Sequence, residues 1–187
     1  MLKSVVKEYS LAGIPPVVKR FLLRALIIFI CWKLLYHPFL FPVRVPDKQL
    51  THITADVTAW VYKIIIGGEI SITETPRGEF PKAIFYINGQ RGIGIADPCN
   101  GLELYVLYIG FLFCLPQPKK KMLLYITGGL AVIFVLNILR CVALAWLNLH
   151  DYAVADFAHH YLFKMIVYGV IFYLWVLYSK KVFRDVS

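Results

Sequence analysis

Residues 122–146 read MLLYITGGLAVIFVLNILRCVALAW. This apolar run carries a single formal charge, Arg140. About 20 consecutive apolar residues match the hydrocarbon core of a bilayer, so the stretch predicts a membrane-spanning helix. Three further runs have the same character: Phe21–Phe41, Gly101–Leu115 and Tyr161–Tyr178. Composition agrees with them. The 187 residues are 59% hydrophobic and 17% charged, against about 45–50% and about 25% in a soluble domain. These values exclude a disordered chain, a disulfide-stapled secreted miniprotein and an ordinary cytosolic enzyme. The expected fold is one membrane domain over residues 1–187, an all-α bundle of about four transmembrane helices.

The connection Pro42–Pro98 interrupts this pattern with six Lys or Arg and six Asp or Glu. It reads as an extracytoplasmic α+β cap inserted over residues 42–98. Within Gln49–Ile66, apolar Leu50, Ile53, Val57, Trp60, Val61, Ile64 and Ile65 recur at helical spacing, which predicts an amphipathic helix in or near the membrane interface. Beyond Gly67-Gly68, Glu69–Thr75 and Ala83–Ile87 read as short strands, the second leading into an Asn88-Gly89 hairpin turn.

Orientation follows from the Lys and Arg of the flanks. Lys3, Lys7, Lys19, Arg20 and Arg24 mark the N-terminal side, Lys119 to Lys121 the second connection, and Lys180, Lys181 and Arg184 the C-terminal side. Asn148–His160 holds none. Both termini and the tri-lysine turn are therefore expected in the cytoplasm of a multi-pass cell-membrane protein. The long connection and the histidine-rich loop then face outward. Met1–Arg20, with Pro15-Pro16, reads as a cytoplasmic tail and not as a removed signal peptide. The net charge of +9 is explained by these flanks, without nucleic acid as a partner.

Several residues do not belong in a lipid-facing helix. Arg140 lies 19 residues beyond Lys121, about 28 Å at the helical rise, and so reaches the outer edge of the hydrocarbon. An arginine there either snorkels to the interface or marks a functional site with a partner. Cys99, between Ala96-Asp97-Pro98 and Asn100-Gly101-Leu102, opens the second span. A thiol at a helix N-terminus near an arginine has the setting that favours a thiolate. Cys31 and Cys114 read as small hydrophobes within spans, and Cys141 should point to a different helix face from Arg140. Glu103, one turn beyond Cys99, orients Arg140 or caps the helix start.

Three of the five histidines lie in Asn148–His160. His150, Asp151, Asp156 and His159 or His160 allow a metal-site reading or simply a solvated loop. Cys99, Arg140 and His159-His160 nevertheless fall at one depth on one side. Together they supply a nucleophile, an oxyanion-stabilising cation and a general acid/base, which is a set for acyl transfer. A non-catalytic assembly scaffold, with Arg140 paired to Glu103, is the competing class.

In these stretches the chain resembles the exosortase and archaeosortase family of membrane-embedded sorting transpeptidases. The matches are Pro98-Cys99-Asn100-Gly101-Leu102, Asn137-Ile138-Leu139-Arg140, and His159-His160-Tyr161-Leu162-Phe163, within roughly Ile93–Trp175. The resemblance implies a cysteine peptidase/transpeptidase with Cys99, Arg140 and His160 catalytic, His159 the runner-up, and Asn100, Asn137 and Glu103 supporting. It implies no cofactor or metal. The expected partners are exported proteins with a C-terminal hydrophobic sorting tail, and an acceptor that is a lipid or glycan amine or hydroxyl, or water. Many members have around eight spans, so this chain looks like a short member without the extra helices.

Overall fold

A computed structural model of the chain describes residues 16–75, 82–115 and 119–186. The helix α1 (Pro16–Leu35) continues through a π turn at Tyr36–Leu40 into α2 (Phe41–Val43). The chain is already helical at Pro16, inside the tail expected over Met1–Arg20; residues 1–15 lie outside the described residues. A corner at Arg44, in the left-handed region at φ 54°, leads into α3 (Asp47–Ile65). Three strands follow, β1 (Ile70–Thr75), β2 (Lys82–Ile87) and β3 (Gln90–Ala96). Then come α4 (Leu102–Cys114), α5 (Lys119–His150), α6 (Tyr152–Phe157), a second π turn at Ala158–Leu162, and α7 (Phe163–Val186).

Among the described residues three helical stretches are long and apolar enough to cross a membrane: Val18–Val43, Met122–His150 and Tyr152–Val182. They establish a membrane protein. The fourth expected span, Gly101–Leu115, is present only as α4, 13 residues long. That is about 20 Å of helix against a hydrocarbon core of about 30 Å. Gly101 (φ 91°) precedes it and the extended Leu115 follows it, so both ends are fixed by backbone conformation. The outer faces of α1 and α7 display Leu23, Leu26, Phe29, Met165 and Phe172, apolar groups that a bilayer covers.

The cap departs from the expected two-strand form. Its sheet has three antiparallel strands in the order β1-β2-β3, and β3 (Gln90–Ala96) is additional to the two expected. The sequence QRGIGIA alternates glycine with isoleucine, and glycine lowers strand propensity. Pairing to β2 overrides that preference, with Ile87 opposite Gln90 and Lys82 opposite Ala96. Asn88 (φ 51°) and Gly89 (φ 78°) form the tight connection between them, both in the left-handed region a primed hairpin turn requires.

The Asn148–His160 connection is likewise not a loop. The helix α5 runs to His150, Asp151 alone is extended, and α6 starts at once, because the Asp151 carboxylate accepts from the Ala153 and Val154 amides. A single capping aspartate thus turns the chain without a loop.

Three hydrophobic clusters form among the described residues, one in the membrane half and two in the other. In the membrane half, Tyr108, Leu112, Ile133, Val167, Ile171 and Tyr178 are buried together. Gly129 is required there, since a Cβ at that position would overlap the Tyr108 ring. In the other half, Ala55, Phe85 and Ile95 of the cap pack with Cys141, while Tyr62 and Ile87 pack with Ile138, Val142 and Ala145. The cap therefore docks on the stretch of α5 that contains Arg140.

Candidate active site

Cys99 is presented by a short turn anchored on both sides, through Asp97 and Asn100. The strand β3 ends at Ala96, and Asp97–Cys99 forms one 3-10 turn with Pro98 inside it. Asp97 is 5% exposed and accepts two hydrogen bonds from Arg44, from Nε at 2.7 Å and Nη2 at 2.9 Å, and a third from the Thr51 hydroxyl at 2.8 Å. Burial pushes the Asp97 carboxyl up, but the bonds from Arg44 and Thr51 and the Arg44 charge outweigh it, and the net shift is downward. Charge-assisted bidentate pairs of this kind are the geometrically specific ones.

On the other side of Cys99, Asn100 is fully buried. Its amide donates to Asp47 Oδ1 at 3.0 Å and to the Thr51 hydroxyl at 3.3 Å, and its oxygen accepts from the Leu102 amide at 2.9 Å. Asp47 in turn accepts from the Tyr36 hydroxyl at 2.8 Å, so the π turn of the first span is tied into the same network. Gly101 takes φ 91°, and a Cβ there would stand 3.4 Å from Asn137 Nδ2. The motif Asn100-Gly101-Leu102 is thereby a helix start: an amide that caps α4, a left-handed residue, and the first helical residue.

Asn137 and Arg140 come from α5, one turn apart. Asn137 is 1% exposed and donates to the Cys99 carbonyl at 3.3 Å. Arg140 is half-buried, and its Nε is buried with no hydrogen-bond partner among the described residues. Cys99, Arg140 and His159 line one cavity of about 450 Å³, with Arg91–Ile95 along one wall and Leu144, Asn148, Tyr152 and Asp156 along others. These residues bring a thiol, a guanidinium and an imidazole to one space, which is what nucleophilic acyl transfer needs.

The two histidines separate. His159 faces the cavity and is half-buried. His160 is exposed, with Nδ1 3.0 Å from the Asp156 carbonyl and 3.2 Å from Asp156 Oδ1. The π turn over Ala158–Leu162 carries both; such bulges re-aim side chains and are frequent at functional sites.

Glu103 is exposed in the first turn of α4 and makes no ion pair with Arg140 among the described residues. The pairing on which the scaffold class relied does not form there. At its place Glu103 complements the helix dipole. His150 stacks on Trp146 and sets Nδ1 2.7 Å from the Trp146 carbonyl, while Asp151 is committed to its cap. Among the described residues no group of three or more His, Cys, Asp or Glu is arranged to hold a metal ion.

Of the other cysteines, Cys31 is exposed on α1 and Cys114 is buried. Cys141 is packed in the cap core, as a small hydrophobe would be, yet it also forms part of the cavity wall beside Arg140; it does not lie on an unrelated face of α5. Arg44, Thr51, Asp47 and Asn148 also belong to the site, though local spacing does not mark them. The only signal for Arg44 and Asp47 is the charge of the cap, which carries no pairing information, and the uncharged Thr51 gives none.

Comparison with curated proteins and with solved structures gives no match. A family model described as transmembrane exosortase matches residues 11–177. That span takes in the Cys99 turn, the Asn137–Arg140 turn and both histidines, and on its extent the chain belongs to the transmembrane exosortase family.

Proposed function

We propose that the protein is a cysteine transpeptidase that cleaves the C-terminal sorting segment of exported proteins and transfers the new carboxyl end to an acceptor amine, hydroxyl or water. The observation that carries this reading is the shared cavity of Cys99, Arg140 and His159. The Cys99 thiolate adds to the scissile carbonyl, and the developing oxyanion is held by the Arg140 guanidinium, whose buried Nε has no other partner among the described residues. His159 gives a proton to the leaving amine, the tail departs, and a thioester remains. The acceptor then loses its proton to His159 as it attacks the thioester, and the Cys99 thiolate is released.

Both termini and the α4–α5 connection face the cytoplasm in this reading, and the cap and cavity face outward. A substrate anchored by its own apolar tail then presents its cleavage site at the outer interface. The short α4 joins α1, α5 and α7 as a fourth membrane helix. Reporter fusions after residue 121 and after residue 151 test the orientation, with a cytoplasmic signal expected from the first and an extracytoplasmic signal from the second.

Hydroxylamine capture tests the chemistry. Membranes holding the enzyme and a tailed reporter should release a reporter ending in a hydroxamate at the cleavage site, because hydroxylamine attacks thioesters. Cleaved reporter with no hydroxamate at saturating hydroxylamine would contradict the thioester.

A further inference from the structure

We propose that the groove leading to Cys99 takes its substrate as an added β-strand, extended along the free edge of β3, with the residues on the amino side of the scissile bond lying in the groove. This deepens the catalytic reading above and rests on it. Among the described residues β3 pairs with β2 alone, so its other edge is unpaired within the sheet. Five consecutive residues, Arg91 to Ile95, line the groove, and the chain then turns directly to Cys99. An edge strand offers a row of N–H and C=O groups, and extended peptides dock on sheets by pairing with such a row.

The opposite wall is α5, which sends Arg140, Leu144 and Asn148 into the groove at successive turns. The Asn148 amide donates to the Gly92 carbonyl. Gly92 and Asn148 thus mark one end of the groove, and Cys99 and Arg140 the other, so β3 and α5 run side by side in opposite directions. Eight residues separate Arg140 from Asn148, about 12 Å along a helix, which is the length of about four extended residues.

Glycine within a strand marks a place where another backbone comes close. Gly92 is already accounted for, since a Cβ there would stand 3.1 Å from Ile87 Cδ1. Gly94 is exposed and lines the groove, so no side chain stands between the strand and the groove at that position. Direction follows from the proposed topology. The substrate tail lies in the bilayer and the exported part outside, so the strand enters past Gly92 and Asn148 and reaches Cys99 with its carbonyl end, parallel to β3.

The test uses the full chain in detergent micelles and N-acetyl oligo-alanine chloromethyl ketones of one to six residues. In these probes the Cys99 thiolate displaces chloride and forms a thioether, read by intact mass. The second-order alkylation rate should rise at least tenfold from one to four alanines and level off at five and six. N-methylating single amides of the four-residue probe should slow it at alternate positions, because strand pairing uses every second residue. Gly94→Val, at an exposed position, should remove the length dependence. A rate independent of length, or an equal loss at every methylated position, would overturn strand addition alone. Failure of every probe to alkylate Cys99 would overturn the catalytic reading with it.

Discussion

The Asn137 amide reaches across 38 residues of sequence to the Cys99 carbonyl at 3.3 Å. Arg140 lies one helical turn beyond Asn137, so one hydrogen bond fixes the register between the nucleophile turn and the helix that carries the cation. Removing one partner of a buried hydrogen bond costs about 1–3 kcal/mol. With about 1.4 kcal/mol per decade of rate, Asn137→Ala should slow processing by about ten- to a hundredfold. The loss should appear in kcat with little change in KM, in assays normalised to inserted enzyme. Unchanged kcat would show that the turn is held without this bond.

Arg140 carries its own prediction. Losing an oxyanion donor costs about a hundred- to a thousandfold in kcat, and lysine cannot reproduce the planar fork of a guanidinium. Arg140→Ala and Arg140→Lys should therefore both be severely impaired while inserting normally, as judged by membrane fractionation beside processing of a tailed reporter. Near-normal processing by Arg140→Ala would reduce the residue to an interfacial cation.

The two histidines should divide sharply. His159→Ala is expected to abolish processing, because His159 and not His160 lines the cavity. His160→Ala should retain most of it, losing the contact with Asp156 and the edge-on packing against the His159 ring. The reverse outcome in a side-by-side time course would assign the acid/base role to His160.

The Arg44–Asp97 pair makes the cap acid-sensitive. The Asp97 carboxyl is held below its ordinary range, so its contribution to stability is present above about pH 4, the usual carboxylate value. It is lost as the pH falls through the lower folded value. Breaking a buried pair costs about 3–5 kcal/mol; with the Arg44 side chain 28% exposed, the low end applies. Arg44→Ala should destabilise the cap by about 3 kcal/mol and expose Cys99 to thiol reagents at neutral pH. Thermal unfolding from pH 3 to 7 checks it: Asp97→Asn should be less stable than wild type at pH 7, and the gap should narrow toward pH 3.

Sequence made the apolar half of this protein legible, because lipid allows little besides long helices for runs such as residues 122–146. The amphipathic pattern of α3 was equally plain, as was the Asn88-Gly89 turn. Cys99 and Arg140 could be seen because each breaks a pattern: a thiol at a helix start, a cation in an apolar run. What could not be seen was set by tertiary contact. The strand β3 is poor in strand formers and exists by pairing to β2. The Asp151 cap removed a loop that composition suggested. The choice between His159 and His160 rests on a π turn, which no periodicity reveals. The ties from Arg44 and Thr51 to Asp97 span 53 and 46 residues, beyond the reach of local spacing.

The most direct test of the account is processing of a tailed reporter by four single variants in membranes, each normalised to inserted protein. Cys99→Ala should give no cleaved product, while Cys31→Ala, Cys114→Ala and Cys141→Ala should each retain most of it: of the two cysteines that line the cavity, Cys141 is buried in the cap core and Cys99 is the one on the turn leading into α4. Full processing by Cys99→Ala would contradict the central claim.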